Sequence, residues 1–125
     1  MSDFLRIWQQ ENDWQKACRK YVSEDIKIVE PTSLPQSGEY TGWDAPVTVS
    51  NIYRGVWDVE LIEQNLWSDE AAAMVFSRYL MKWTHKKTGK SVTMHTLEHN
   101  YFQDGKIVKM EVAHWDHAGL VATQF

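Results

Sequence analysis

The stretch VTMHTLEHNYFQDGKIVKMEVAHWD, residues 92–116, decides how this chain folds. Val92 to Phe102 is rich in β-branched and aromatic residues, Gln103-Asp104-Gly105 is a hairpin signal, and Lys106 to Asp116 alternates in period two. Two long antiparallel strands joined by a tight turn follow. Alternation sorts the second strand: Val108, Met110, Val112, His114 and Asp116 share one face, and Ile107, Lys109, Glu111, Ala113 and Trp115 the other. The first set is apolar at one end and polar at the other, the profile of a pocket with a closed floor and a polar mouth. In the preceding strand Met94, Thr96, Glu98, Asn100 and Phe102 fall together. A carboxylate in such company is costly to bury unless paired or protonated. Glu98 is therefore a candidate for chemistry.

The same period extends upstream. Strands are expected at Trp57–Trp67 and Ala72–His85, with turns at Ser68-Asp69-Glu70 and Lys87-Thr88-Gly89-Lys90. Val75, Ser77, Tyr79, Met81 and Trp83 form the inward set, opposite Arg78 and Lys82. Before residue 57 the pattern is helical. Phe4–Gln10 follows a Ser2 or Asp3 cap, and a second helix runs from Trp14 to about Val22 after Asn12-Asp13. Ile26–Glu30 is a short strand stopped by Pro31. Pro31 to Gly42 reads as loop, and Asp44 and Pro46 start a third helix that runs to about Arg54 and ends at Gly55. The expected fold is α+β: a cone-shaped barrel with three N-terminal helices packed on a curved antiparallel sheet.

Composition narrows the function. The chain has 125 residues, 43% hydrophobic and 24% charged, so one domain spanning 1–125 with a substantial core is expected. Seven Trp must fill a core, line a pocket or cover an interface. Net charge is −4 and no basic run exceeds His85-Lys86-Lys87, which argues against nucleic acid as partner. A lone Cys18 allows no internal disulfide and reads as a small core residue in a helix. No leader-like or membrane-spanning stretch is visible, so no membrane partner and a cytoplasmic location are expected. His95 and His99 lie about 13 Å apart along a strand, too far to share an ion, and no metal site is expected.

Three stretches together resemble the nuclear-transport-factor-2-like superfamily, which includes SnoaL-like polyketide cyclases, steroid Δ5-isomerases and limonene epoxide hydrolases. Asn12-Asp13-Trp14 through Tyr21 to Ile26 resembles the second helix leading into the first strand. Glu30-Pro31 through Pro35 to Gly38 resembles the acidic-Pro…Pro…Gly loop of the steroid isomerases. Phe102 to Val108, followed by Trp115-Asp116, Gly119-Leu120 and Gln124, resembles the ending of SnoaL-like proteins.

The resemblance implies roles. Glu30 stands where the isomerases keep their base, Glu98 falls near the protonated acid that donates to an oxyanion, and Asp116 matches the cyclase acid/base with His114 beside it. A buried carboxyl stays neutral at pH 7 in an apolar enough site; ketosteroid isomerase is the worked example of that rule. The isomerase tyrosine would fall near Leu5, so that phenol is missing, and a bulge is needed to align Asp116. An epoxide-hydrolase relay would need Arg78 to face inward. Glu30, Glu98, His114 and Asp116 are thus the expected catalytic residues. Tyr40, Tyr53, Tyr79, Trp83, Asn100 and Met110 are the expected ligand contacts. The expected function is cofactor-free isomerisation or cyclisation of a small hydrophobic carbonyl compound, with a non-catalytic ligand-binding or dimerisation module as the competing class. A homodimer would form through the outer sheet face at Phe76, Leu80 and Trp115.

Overall fold

A computed structural model of the protein describes residues 20–125. Strands β1 (Val22–Glu30) and β2 (Gly38–Thr41) precede helix α1 (Ala45–Val56). Four strands then follow in order, β3 (Trp57–Asp69), β4 (Met74–His85), β5 (Ser91–Gln103) and β6 (Lys106–His114), before a short helix α2 (His117–Ala122). The two earliest expected helices, and Cys18, lie outside the described residues, except that Lys20 and Tyr21 are helical.

The six strands form one sheet in the order β2-β1-β6-β5-β4-β3. Four of its pairings are antiparallel and one, β1 with β6, is parallel. The expected α+β fold, helices packed on a curved sheet, is observed; the sheet stays unclosed, with β2 and β3 as its free edges. The reason is that α1 contacts β1, β2 and β3, and so spans the gap that strand pairing leaves. The Asp-Gly turn forms as read: Asp104 has φ 52° and Gly105 φ 77°, the two left-handed residues that a hairpin turn of right-handed twist requires.

Before residue 57 the boundaries differ from expectation. β1 begins at Val22, where the second helix was expected to end and four residues before the expected strand start at Ile26, because Val22, Ile26 and Ile28 bury one face. β2 was hidden in the loop; it pairs Lys27 with Thr41 through Glu30 with Gly38. α1 runs through Gly55 to Val56, where Trp57 leaves helical geometry.

Two apolar clusters fill the concave side. Val22, Ile26, Ile28, Ala45, Val49, Tyr79 and Ile107 form one; Leu34, Trp57, Trp83, Met94 and Leu120 form the other, with Tyr53 and Met81 touching both. Trp57 meets Trp83 edge-on at 5.7 Å, and its indole Nε1–H donates to Thr123 Oγ1 at 2.8 Å, pinning the segment after α2 to the core. Burying a Trp side chain this fully is worth several kcal/mol against its truncation.

Candidate active site

The hollow between α1 and the sheet is a cavity of about 170 Å³. Alternation builds most of its wall. Glu30 follows Ile26 and Ile28 on the inward parity of β1, and its side chain is only 7% exposed. Glu98 comes from β5, where it pairs with Ser77 on β4 and Val112 on β6. Val29 pairs with Glu111, so Glu30 comes one step on, level with Val112. Glu30, Val112 and Glu98 thus form a row across three strands, about 10 Å between the outer backbones. Concave curvature lets the two carboxyls approach within electrostatic reach.

Their environment decides their charge. Burial pushes the Glu30 carboxyl up to about 8, and the Glu98 charge adds to the rise. Glu30 Oε2 has no hydrogen-bond partner. Burial likewise pushes Glu98 up to about 7, but a hydrogen bond with Tyr79 opposes it by favouring the carboxylate. Tyr79 itself is shifted upward by burial and by Glu98, so it remains a neutral donor. The pair therefore enters neutral pH holding at least one proton, with charge more at home on Glu98.

His114 is a buried residue of the same wall. It pairs with Thr96 across β5 and β6, and Thr96 Oγ1 and His114 Nδ1 share a hydrogen bond of 3.0 Å. Burial pushes it down to about 4, with His117 adding to the drop, so the ring is neutral at physiological pH. Its Nε2 is buried without a partner, and Trp83 meets it edge-on at 5.4 Å. A neutral imidazole there can orient a ligand or exchange a hydrogen bond.

Of the expected residues, Glu30, Glu98, His114, Tyr53, Tyr79, Trp83 and Met110 all line this cavity. Three do not. Asp116 is exposed past the end of β6, and its Oδ1 accepts from Gly119 N–H at 2.9 Å, capping α2. The strand stops at His114, so parity no longer aims Asp116 inward. Tyr40 turns its hydroxyl back to donate to the Gln36 carbonyl at 2.9 Å. Asn100 is fully buried, but its Nδ2 serves the Val75 carbonyl and Ser77 Oγ within the sheet. Arg78 lies over Trp67 at 5.0 Å and is not on the cavity wall, so the relay for epoxide opening is not assembled.

Of the helical wall the sequence reading named only Tyr53. Pro46, Ser50, Tyr53 and Arg54 line the cavity from α1. Their spacing of four, seven and eight residues is that of one helix face, a signal present in the sequence. Among the described residues no cluster of His, Cys, Asp and Glu is arranged for a metal ion, and no helix is long and apolar enough to cross a membrane.

No family model and no curated protein matches the sequence. Solved structures do match the fold. An NTF2-like protein from Burkholderia xenovorans superposes with TM-score 0.81 at 14% identity, over 99% of this chain and 92% of that one. A SnoaL-like polyketide cyclase candidate from Mesorhizobium loti gives 0.66 at 22% identity, over 90% and 93%. TerC, co-crystallised with polyporic acid, gives 0.72 at 14% identity, over 94% and 91%. The chain has the nuclear-transport-factor-2-like fold.

Proposed function

We propose that this chain is an enzyme that moves a proton next to the carbonyl of a small hydrophobic compound, isomerising or cyclising it with its own side chains as acid and base. The observation that carries the reading is a pair of carboxyls, Glu30 and Glu98, sharing one apolar cavity with the Tyr79 hydroxyl. Two acids whose surroundings set their protonation apart are the working parts of general acid–base catalysis. Glu98, favoured as carboxylate by Tyr79, abstracts the proton α to the carbonyl. Glu30, the more strongly protonated, donates a hydrogen bond to the oxygen as the enolate forms. This exchanges the roles that the isomerase resemblance gave them. Structural neighbours that include polyketide cyclase candidates, and one crystallised with an organic acid, support a small-molecule site. The protein acts, in this reading, as a homodimer joined through the outer sheet face.

The test is hydrogen–deuterium exchange at the α-carbons of a panel of cyclic ketones in heavy water, followed by NMR. The protein accelerates exchange of at least one ketone, and E98Q loses that acceleration by about a hundredfold or more, the usual worth of a positioned base. Equal exchange with native protein and E98Q, or acceleration of no ketone, rejects catalysis and leaves a ligand-binding module.

A further inference from the structure

Among the described residues Arg54 is the cation of the cavity wall, and its setting differs from that of an ordinary surface arginine. It sits in the last turn of α1, where a positive charge suits the helix end and an extended side chain would reach freely into water. Instead its Nε–H donates to Ser50 Oγ at 3.1 Å, and Ser50 is a buried residue of the cavity wall. The guanidinium carbon also lies 5.6 Å from the Tyr53 ring centroid, and Tyr53 is a cavity residue too. Two wall residues thus hold the guanidinium at the mouth. Among the described residues no carboxylate forms an ion pair with it. A fixed guanidinium with its outer N–H groups uncommitted is the group that recognises planar oxyanions.

Charge arrangement then orients a ligand. The cavity lining holds two acids, Glu30 buried and Glu98 half-buried, which repel an anion, while Arg54 of the same lining is exposed to solvent. A net charge of −4 gives an anion no general attraction to this protein, so a local cation would decide its binding. Size adds a limit. An apolar cavity of about 150 Å³ is known to accept benzene, so about 170 Å³ accommodates one ring and little more inside the walls. We propose that the ligand is a monocyclic keto acid, its ring and carbonyl inside the cavity against Glu30 and Glu98, its carboxylate outside on Arg54. The carbonyl end rests on the acid–base reading above; the carboxylate end rests on Arg54 alone.

The probes are (4-oxocyclohexyl)acetate and its primary amide, titrated calorimetrically at neutral pH into the native protein, R54Q and R54K. The native protein binds the carboxylate at least about tenfold more tightly than the amide, as a charge-assisted contact partly exposed to water would give. R54Q abolishes that preference without changing amide affinity, and R54K keeps part of it. Added salt weakens the carboxylate and not the amide. If both probes bind equally to the native protein, or R54Q keeps the preference, the proposal is overturned while the acid–base reading stands. If neither binds, the keto-acid proposal falls, and the ketone exchange panel alone decides the acid–base reading.

Discussion

Replacing Glu30 by Gln should make the protein more stable, and only at high pH. Gln reproduces the shape and neutrality of the protonated carboxyl but cannot ionise. The folded state holds Glu30 at about 8, against an ordinary value of 4.5 in the unfolded chain. A group whose folded pKa is raised binds its proton more tightly when folded. Its stability contribution is thus complete below about pH 4.5 and is lost as pH rises through about 8. Each pKa unit is about 1.4 kcal/mol, so the full span is on the order of 4 to 5 kcal/mol. Relaxation and water entry around a carboxylate forced to ionise will reduce this, and roughly 2 to 4 kcal/mol is the expected gain above pH 8. For a domain of this size that corresponds to a rise in Tm of about 5 to 15 °C. Intrinsic fluorescence of the seven Trp reports unfolding directly in a thermal ramp. E30Q and native protein should melt together at about pH 5 and diverge progressively toward about pH 8.5 at constant ionic strength. A Tm difference that stays constant across that range would refute a buried, proton-retaining Glu30.

Two other substitutions test the remaining assignments. D116A removes the acceptor that caps α2 and should cost about 0.5 to 2 kcal/mol in chemical denaturation, with ketone exchange unchanged; a collapse of exchange in folded D116A would return this residue to the catalytic group. Y79F removes the donor to Glu98, worth about 1.5 to 3 kcal/mol for a bond to a charged group, so the acidic limb of the exchange profile, where Glu98 gains its carboxylate, should move up by roughly one to two pH units. An unmoved limb would show that Glu98 is not the base.

The sheet was legible because its strands alternate cleanly and its turns carry their own chemistry. β5 forms where the Val92–Phe102 run and its hairpin signal placed it, and Tyr79, Met81 and Trp83 of the β4 inward set and Thr96 and Glu98 of the β5 set line the cavity. Local irregularity defeated parity elsewhere. Ile107, assigned outward, is fully buried, because the register with β5 slips by one residue between Tyr101 and Phe102 and turns the start of β6 over. Asp116 failed for a related reason: extending a period two past the real strand end at His114 projected an inward face that no longer existed. β2 is four residues long and begins at a glycine, so no alternation could reveal it. α2 spans six residues with Gly119 inside, too short and too weak a helix former to stand out. Arg54 was missed because the search for polar groups followed the strands; the helix-face spacing of Pro46, Ser50, Tyr53 and Arg54 would have shown it.

What distinguishes Glu30 from Glu98 is a single phenol. Both descend from inward strand positions, burial raises both, and the Glu98 charge adds to the reluctance of Glu30 to ionise. With identical surroundings the pair would share its proton evenly, and neither would be a committed base. Tyr79 reaches Glu98 from the neighbouring strand β4, where Tyr79 stands two residues beyond the Glu98 partner Ser77, on the same inward face. Because burial also keeps Tyr79 protonated, its hydroxyl meets the Glu98 carboxylate as a donor, and a donor stabilises the carboxylate over the acid. Glu30 Oε2, by contrast, faces the cavity wall without a partner, and a carboxyl in that position keeps its proton until a ligand oxygen accepts it. A well-packed apolar pair in place of these two acids would leave the fold more stable. The asymmetry that Tyr79 creates has value only if something between the two carboxyls must lose a proton on one side and gain a hydrogen bond on the other.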